Sequence, residues 1–145
     1  MLPERSYSIR EFCLAADYDA VIALWQRSGP GVRVSSLSDG RAEIEKKLQR
    51  DPDLFLVAEV EGQVVGAVLG GWDGRRGIVY HLAVDEPRRG MGIGLALMNQ
   101  LELRLRAKGC RKYYLLVSPE NPAVQFYERF GFESMPFLIM GKETG

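Results

Sequence analysis

HLAVDEPRRGMGIGLALMNQLELRLRAKG, residues 81–109, decides the fold. It opens as the end of an apolar run, GIVYHLAV at 77–84, too uniformly apolar for a strand with one wet face. Such a run reads as a central strand. Gly90, Gly92 and Gly94 follow on alternate positions, and Leu97, Leu101 and Leu105 then repeat at helical spacing. The spacing predicts a helix to about residue 108, stopped by Gly109. A glycine loop therefore joins a strand to a helix N-terminus. The first N–H groups of a helix have no internal partner, and the helix dipole makes that end partly positive. Glycines remove the Cβ atoms that would hold a ligand away. The loop is a phosphate-type anion cradle, with Arg88 and Arg89 adding charge.

Downstream, KYYLLV (112–117) reads as a strand. It completes a strand–helix–strand crossover, which is right-handed and yields parallel strands. NPAVQFYERF predicts a short helix capped by Asn121, with Pro122 at its first position and Gly131 at its end. Phe132 is expected to fold back on Phe126 or Tyr127, and FLIM (137–140) to form a last strand.

Upstream, YSIREF (7–12) alternates as a strand. Asp17 is expected to cap a helix carrying Val21, Leu24 and Trp25 on one face. Residues 29–40 form a loop; Ser38 or Asp39 caps a second helix, which Asp51-Pro52 ends. Segments 54–60 and 63–72 form a hairpin through Glu61-Gly62. The order β-α-α-β-β-β-α-β-α-β describes a single α/β domain over residues 1–145, with helices on a mixed sheet.

Bulk properties narrow the function. Lys+Arg and Asp+Glu both number 19, so formal net charge is zero and no broad basic face is available for nucleic acid. The cationic group Arg104, Arg106, Lys108, Arg111 and Lys112 suits a helix C-terminus. Cys13 and Cys110 show no zinc-type spacing and read as reduced thiols; no metal is expected. No window resembles a membrane span, and MLPERSYSIREF lacks a leader's apolar stretch, which predicts a cytoplasmic protein that binds no membrane.

Two common phosphate loops are excluded by spacing. No Gly-Lys-Ser/Thr follows the glycines, and Leu95 stands where a dinucleotide fingerprint needs glycine. Arg89-Gly90-Met91-Gly92-Ile93-Gly94 instead resembles the [Q/R]-x-x-G-x-[G/A] signature of the GCN5-related N-acetyltransferases (GNAT). NPAVQFYERFGF (121–132) is similar to that family's following helix motif, and the element order fits along nearly the whole chain. LFLVAEVEGQVVGAVLGGWDGRRG also resembles a small bacterial subgroup called YpeA-like.

The resemblance implies a mostly antiparallel sheet, helices on both faces, and two central parallel strands that splay apart. It implies that acetyl-coenzyme A is the co-substrate. Residues 89–95 (Arg89, Gly90, Met91, Gly92, Ile93, Gly94, Leu95) would bind its pyrophosphate, and the main chain of Leu82, Ala83 and Val84 its pantetheine arm. Asn121 would also contact coenzyme A, and Tyr127 would be the general acid that protonates the departing thiolate.

The base is less legible. Leu116 occupies the position where some members carry a strand glutamate. His81 is a candidate, but Tyr80 and His81 are expected on opposite faces, which leaves open the one that points inward. Glu120 and Asp73 are weaker candidates. Trp25 reads as core, while Arg33 in the 29–40 loop could hold an acceptor carboxylate. The implied reaction is direct attack by a primary amine in a ternary complex. The acceptor is a small amine, an amino acid, or a protein N-terminus or lysine. A non-catalytic acyl-coenzyme A sensor is the alternative.

Overall fold

The computed structural model describes residues 6–29 and 31–145. Residues 1–5, part of the stretch read for a leader, and Pro30 of the loop lie outside the described residues. Strands β1 (Ser8–Glu11), β2 (Phe55–Val60), β3 (Gln63–Trp72), β4 (Gly77–Val84) and β5 (Tyr113–Leu115) lie side by side in that order in one sheet. The first three pairings are antiparallel and β4–β5 is parallel, as the crossover requires. Glu61 and Gly62 turn the β2–β3 hairpin at φ of 51° and 79°.

Helices α1 (Leu14–Gln26) and α2 (Arg41–Arg50) cover one face; α3 (Ile93–Ala107) and α4 (Val124–Arg129) flank the other. Leu97, Leu101 and Leu105 are fully buried among Leu54, Leu56, Val68 and Val79. Burying each such side chain stabilises the fold by roughly 1.5–3 kcal/mol. On the opposite face Trp25 stacks on Phe55 at 5.8 Å and Phe55 on Phe12 at 4.0 Å. Among the described residues no helix is long and apolar enough to cross a membrane.

Several local expectations are corrected. Helix α1 starts three residues before Asp17, because Leu14, Ala15 and Ala16 are good helix formers. Its N-cap is Cys13, and Asp17 reaches back one turn to accept the Cys13 N–H at 2.8 Å. Helix α2 is capped by Gly40, not by Ser38 or Asp39; the Asp39 carboxylate turns inward to the Ser35 N–H at 2.8 Å. Strand β5 is shorter than its apolar run because it diverges from β4. Phe137–Met140 forms no strand: these residues lie 72–90% exposed, without the neighbouring edge that β structure needs. Cys13 is exposed, while Cys110 is buried.

Candidate active site

The sheet opens where β4 and β5 part. Their pairing runs Gly77–Tyr113, Ile78–Tyr114 and Val79–Leu115, then stops. Residues 81–84 remain paired with β3 on one side and face a gap on the other. A bulge sits at the same level. Leu69 pairs with His81 but Gly70 with Val79, so Tyr80 is an extra residue in β4. The bulge cancels the usual alternation. His81 packs on Trp25 of α1 at 4.6 Å, and Tyr80 lies with Lys47 of α2 around Gly71. Tyr80 and His81 therefore share the α1/α2 face, contrary to the alternation expected of a regular strand. Gly70-Gly71 inside β3 was the available signal, since glycine in a strand often marks a bulge or a close approach.

At the far end of β4 the chain makes a 3₁₀ turn, Glu86–Arg88, and enters the glycine loop. Gly90 and Gly92 sit at φ of 87° and 83°, where any other residue is strained, and Gly92 is the N-cap of α3. Ala96 makes the first helical bond, to the Gly92 carbonyl at 3.0 Å. Among the described residues none of the amides from Gly90 to Leu95 donates to another protein group. Ile93 anchors the turn in the core, while Met91 and Leu95 are exposed. The Arg89 side chain folds back, its Nε donating to the Val84 carbonyl at 3.1 Å.

The α4 motif closes this side. Helix α4 starts later than expected, with Ala123 and not Asn121 at its N-cap; Asn121 Oδ1 accepts the Ala123 N–H at 2.8 Å in a local turn ahead of the helix. The Asn121 amide lies so close to Gly31 of the α1–α2 loop that a Cβ at residue 31 would displace it. The helix ends as expected: Phe132 N–H bonds Tyr127 O and Gly131 N–H bonds Glu128 O, with Gly131 at φ of 108°. Phe132 meets Tyr127 edge-on at 6.0 Å, and Phe126 meets Tyr127 at 5.4 Å. Tyr127 is 8% exposed, and burial alone pushes its phenol up to about 12.

The opposite face is polar where the gap opens. His81 Nε2 lies 3.6 Å from Asp39 Oδ2, and Asp39 is 4% exposed. Burial works against the Asp39 carboxylate, but the neighbouring His81 imidazole and the hydrogen bond from the Ser35 N–H outweigh it and hold the group below its ordinary value. Tyr18 of α1 donates to the Asp39 carbonyl at 2.8 Å, fixing the loop from below. Trp25, the core residue expected, also leaves its indole N–H without a partner among the described residues.

The profile of the Acetyltransferase (GNAT) family matches residues 15–132. The chain belongs to the GNAT acetyltransferase family. Acetyltransferase ECA0875 of Pectobacterium atrosepticum is 46% identical to it over 127 residues, spanning 87% of this chain and 88% of the relative. Acetyltransferase SG1711 of Sodalis glossinidius is 45% identical over 128 residues, with the same coverage. The crystal structure of Ard1 from Thermoplasma volcanium superposes with a TM-score of 0.75 at 28% identity, covering 88% of this chain and 83% of that one. The protein is accordingly an N-acetyltransferase, of a family that transfers acetyl groups from acetyl-coenzyme A.

Within this GNAT fold the expected site residues stand in different places. Leu82–Val84 lie on β4 beyond its pairing with β5 and the glycine loop follows them, Asn121 lies against Gly31 of the α1–α2 loop, and Tyr127 packs with Phe126 and Phe132. His81 stands on the α1/α2 side. Asp39 was missed as more than a cap, because an Asp ahead of Gly at the end of a polar loop reads as a helix start. Glu120 bonds Ser118 and Asp73 caps the Arg75 and Arg76 amides at 2.7 Å, both turn roles. Leu116 is 44% exposed just beyond β5.

Proposed function

We propose that the protein acts as one GNAT domain over residues 1–145, in the cytoplasm, and moves the acetyl group of acetyl-coenzyme A to a primary amine by direct attack in a ternary complex. The observation that carries this reading is the coincidence of a β4 edge with no strand partner beyond Val79 and, at its end, amides with no protein acceptor among the described residues. The pyrophosphate would lie on residues 89–95, and the pantetheine amides would pair along Leu82–Val84 as an added strand. Asn121 would contact the same arm. A β4 N–H facing the gap would steady the carbonyl oxygen as it becomes negative.

The amine lone pair attacks the thioester carbon and the C–S bond breaks. One N–H proton passes to His81, which Asp39 orients; the thiolate takes its proton from Tyr127. A phenol near 12 is protonated throughout the physiological range, so it is always ready to donate. Full transfer to a thiolate whose thiol titrates near 8.5 in water is uphill by roughly 3–4 units, about 4–5 kcal/mol. Desolvation of the thiolate in the closed gap raises its basicity and narrows that difference. Tyr127 thus serves first as a hydrogen-bond donor to the growing sulfur charge.

Thiol release from acetyl-coenzyme A with an amine panel tests the reading. Tyr127→Phe should lower kcat about 10²–10³-fold, within the usual range for a lost acid–base group, with KM for acetyl-coenzyme A nearly unchanged. Tight cofactor binding with no thiol release from any amine would leave an acyl-coenzyme A sensor instead.

A further inference from the structure

A cavity of about 410 Å³ opens on the α1/α2 face beside the point where β4 and β5 part. Its floor is Ile78 and Tyr80 of β4 and Tyr114 of β5. Ile78 and Tyr114 are paired across the last bonded stretch, and Tyr80 is the bulged residue next to His81. The volume suits a small metabolite, at the lower end of ordinary ligand sites.

The polar groups around it are unevenly satisfied. Asp51 Oδ2 already accepts from Lys47 Nζ at 2.5 Å and from the Trp72 N–H at 3.3 Å. Asp73 Oδ1 accepts two main-chain N–H groups at 2.7 Å. The guanidiniums are less committed. Arg50 spends Nε and Nη2 on one acceptor, the Trp72 carbonyl, and keeps further N–H donors. Arg76 lies 5.5 Å over the Tyr114 ring and has no carboxylate partner among the described residues. Asp51 Oδ1 and Asp73 Oδ2 keep lone pairs, but the three cations Lys47, Arg50 and Arg76 face two carboxylates, so the lining is cationic on balance and favours an anion over its aromatic floor. Guanidinium matches planar or tetrahedral oxyanions with paired donors.

We propose that the acceptor is a small amine that also carries a carboxylate or phosphate, gripped by Arg76 and Arg50 so that its amine points past Tyr80 toward the gap. This rests on the acetyl-transfer reading above and names its substrate class. Arg33, the loop arginine considered from sequence, does not line this cavity.

Matched acceptors provide the test: a free amino acid against its amide, and ethanolamine phosphate against ethanolamine, each followed by thiol release. The anionic member should exceed its neutral partner in kcat/KM by about tenfold to a hundredfold, the range of a hydrogen-bonded charge. The carboxylate and phosphate arms show which anion is preferred. Arg76 is exposed, so its substitution should leave folding intact. Arg76→Ala should collapse the anionic preference through KM, and Arg76→Lys should restore part of it. Turnover with neutral amines or amidated peptides as good as with anionic ones, or a preference that survives Arg76→Ala, overturns the anion assignment alone. No release with any member overturns the acetyl-transfer reading and this inference together.

Discussion

The two faces of the sheet solve different problems. The α3 face is aliphatic: Leu97, Met98, Leu101 and Leu105 are fully buried against the inner side chains of β2–β4. The α1/α2 face carries the buried carboxylates of the described residues, Asp17, Asp39 and Asp51. Each is bonded, Asp17 to Arg10, Asp39 to the Ser35 N–H and Asp51 to Lys47, and His81 stands beside Asp39 at 3.6 Å. The dry face holds one helix whose N-terminal amides have no protein acceptor among the described residues. Main-chain donors on a stiff support suit a ligand part that never changes, the diphosphate. The wet face presents side chains, whose chemistry is set residue by residue, and suits the acceptor. Burial also pushes the Lys47 ammonium below its ordinary range against the pull of Asp51, a cost absent from the aliphatic side.

If the wet face carries the proton chemistry, His81→Gln should have the largest effect there. We expect about a 10²-fold loss in kcat. Asp39→Asn should lose about tenfold, the scale for a group that orients a functional histidine. The double variant should fall no lower than His81→Gln, because the two act as one unit. Additive losses in steady-state kinetics would separate Asp39 from the reaction and leave it a loop fastener.

The dry face is tested by the glycines. Gly92 is at φ of 83°, so Gly92→Val strains the loop as well as blocking a ligand. Gly94→Ala is the matched control. A Cβ there would meet Val84 and Phe126 at 3.6 and 3.7 Å, ordinary contact, without a left-handed backbone, and the position is one where the signature accepts alanine. Calorimetry should show coenzyme A affinity falling about 30-fold for Gly92→Val, whose side chain holds the phosphate off the amides by more than a hydrogen bond tolerates, and holding for Gly94→Ala. The melting temperature of Gly94→Ala should also hold, because alanine favours helix over glycine. Unchanged affinity in Gly92→Val would place the diphosphate elsewhere.

The dry face was legible in sequence and the wet face was not, for a physical reason. Positive φ and bare amides require glycine, and a buried helix stripe requires leucine at fixed spacing, so both leave local marks. The Asp39–His81 contact joins residues far apart in the chain through a loop and a bulge. Nothing near Asp39 marks it as buried rather than capping. The bulge at Tyr80 was hinted at only by glycines on the neighbouring strand. The loss of the final strand follows the same rule: Phe137–Met140 has strand propensity, but pairing depends on a partner edge that propensity does not specify.

The smallest predicted effect concerns stability on the wet face. Hydrogen bonds from Arg10 hold the Asp17 carboxylate below its ordinary value, although burial opposes them, and the Cys13 N–H adds to the effect. Arg10 grips it through two contacts, at 2.7 and 2.8 Å. Arg10 is 37% exposed, so solvent screens much of the attraction. Asp17→Asn should therefore cost about 1–2 kcal/mol at pH 7, the scale of a charge-assisted hydrogen bond. Because the folded-state value is depressed, the stabilisation is fully present above the unfolded value near 3.9 and is lost as pH falls through the folded one. Urea melts of the two proteins should differ at pH 7 and converge below about pH 4. A gap that persisted unchanged into acid would assign the loss to the geometry of the Asn side chain, and would remove charge pairing from the account of how this face anchors α1 to β1.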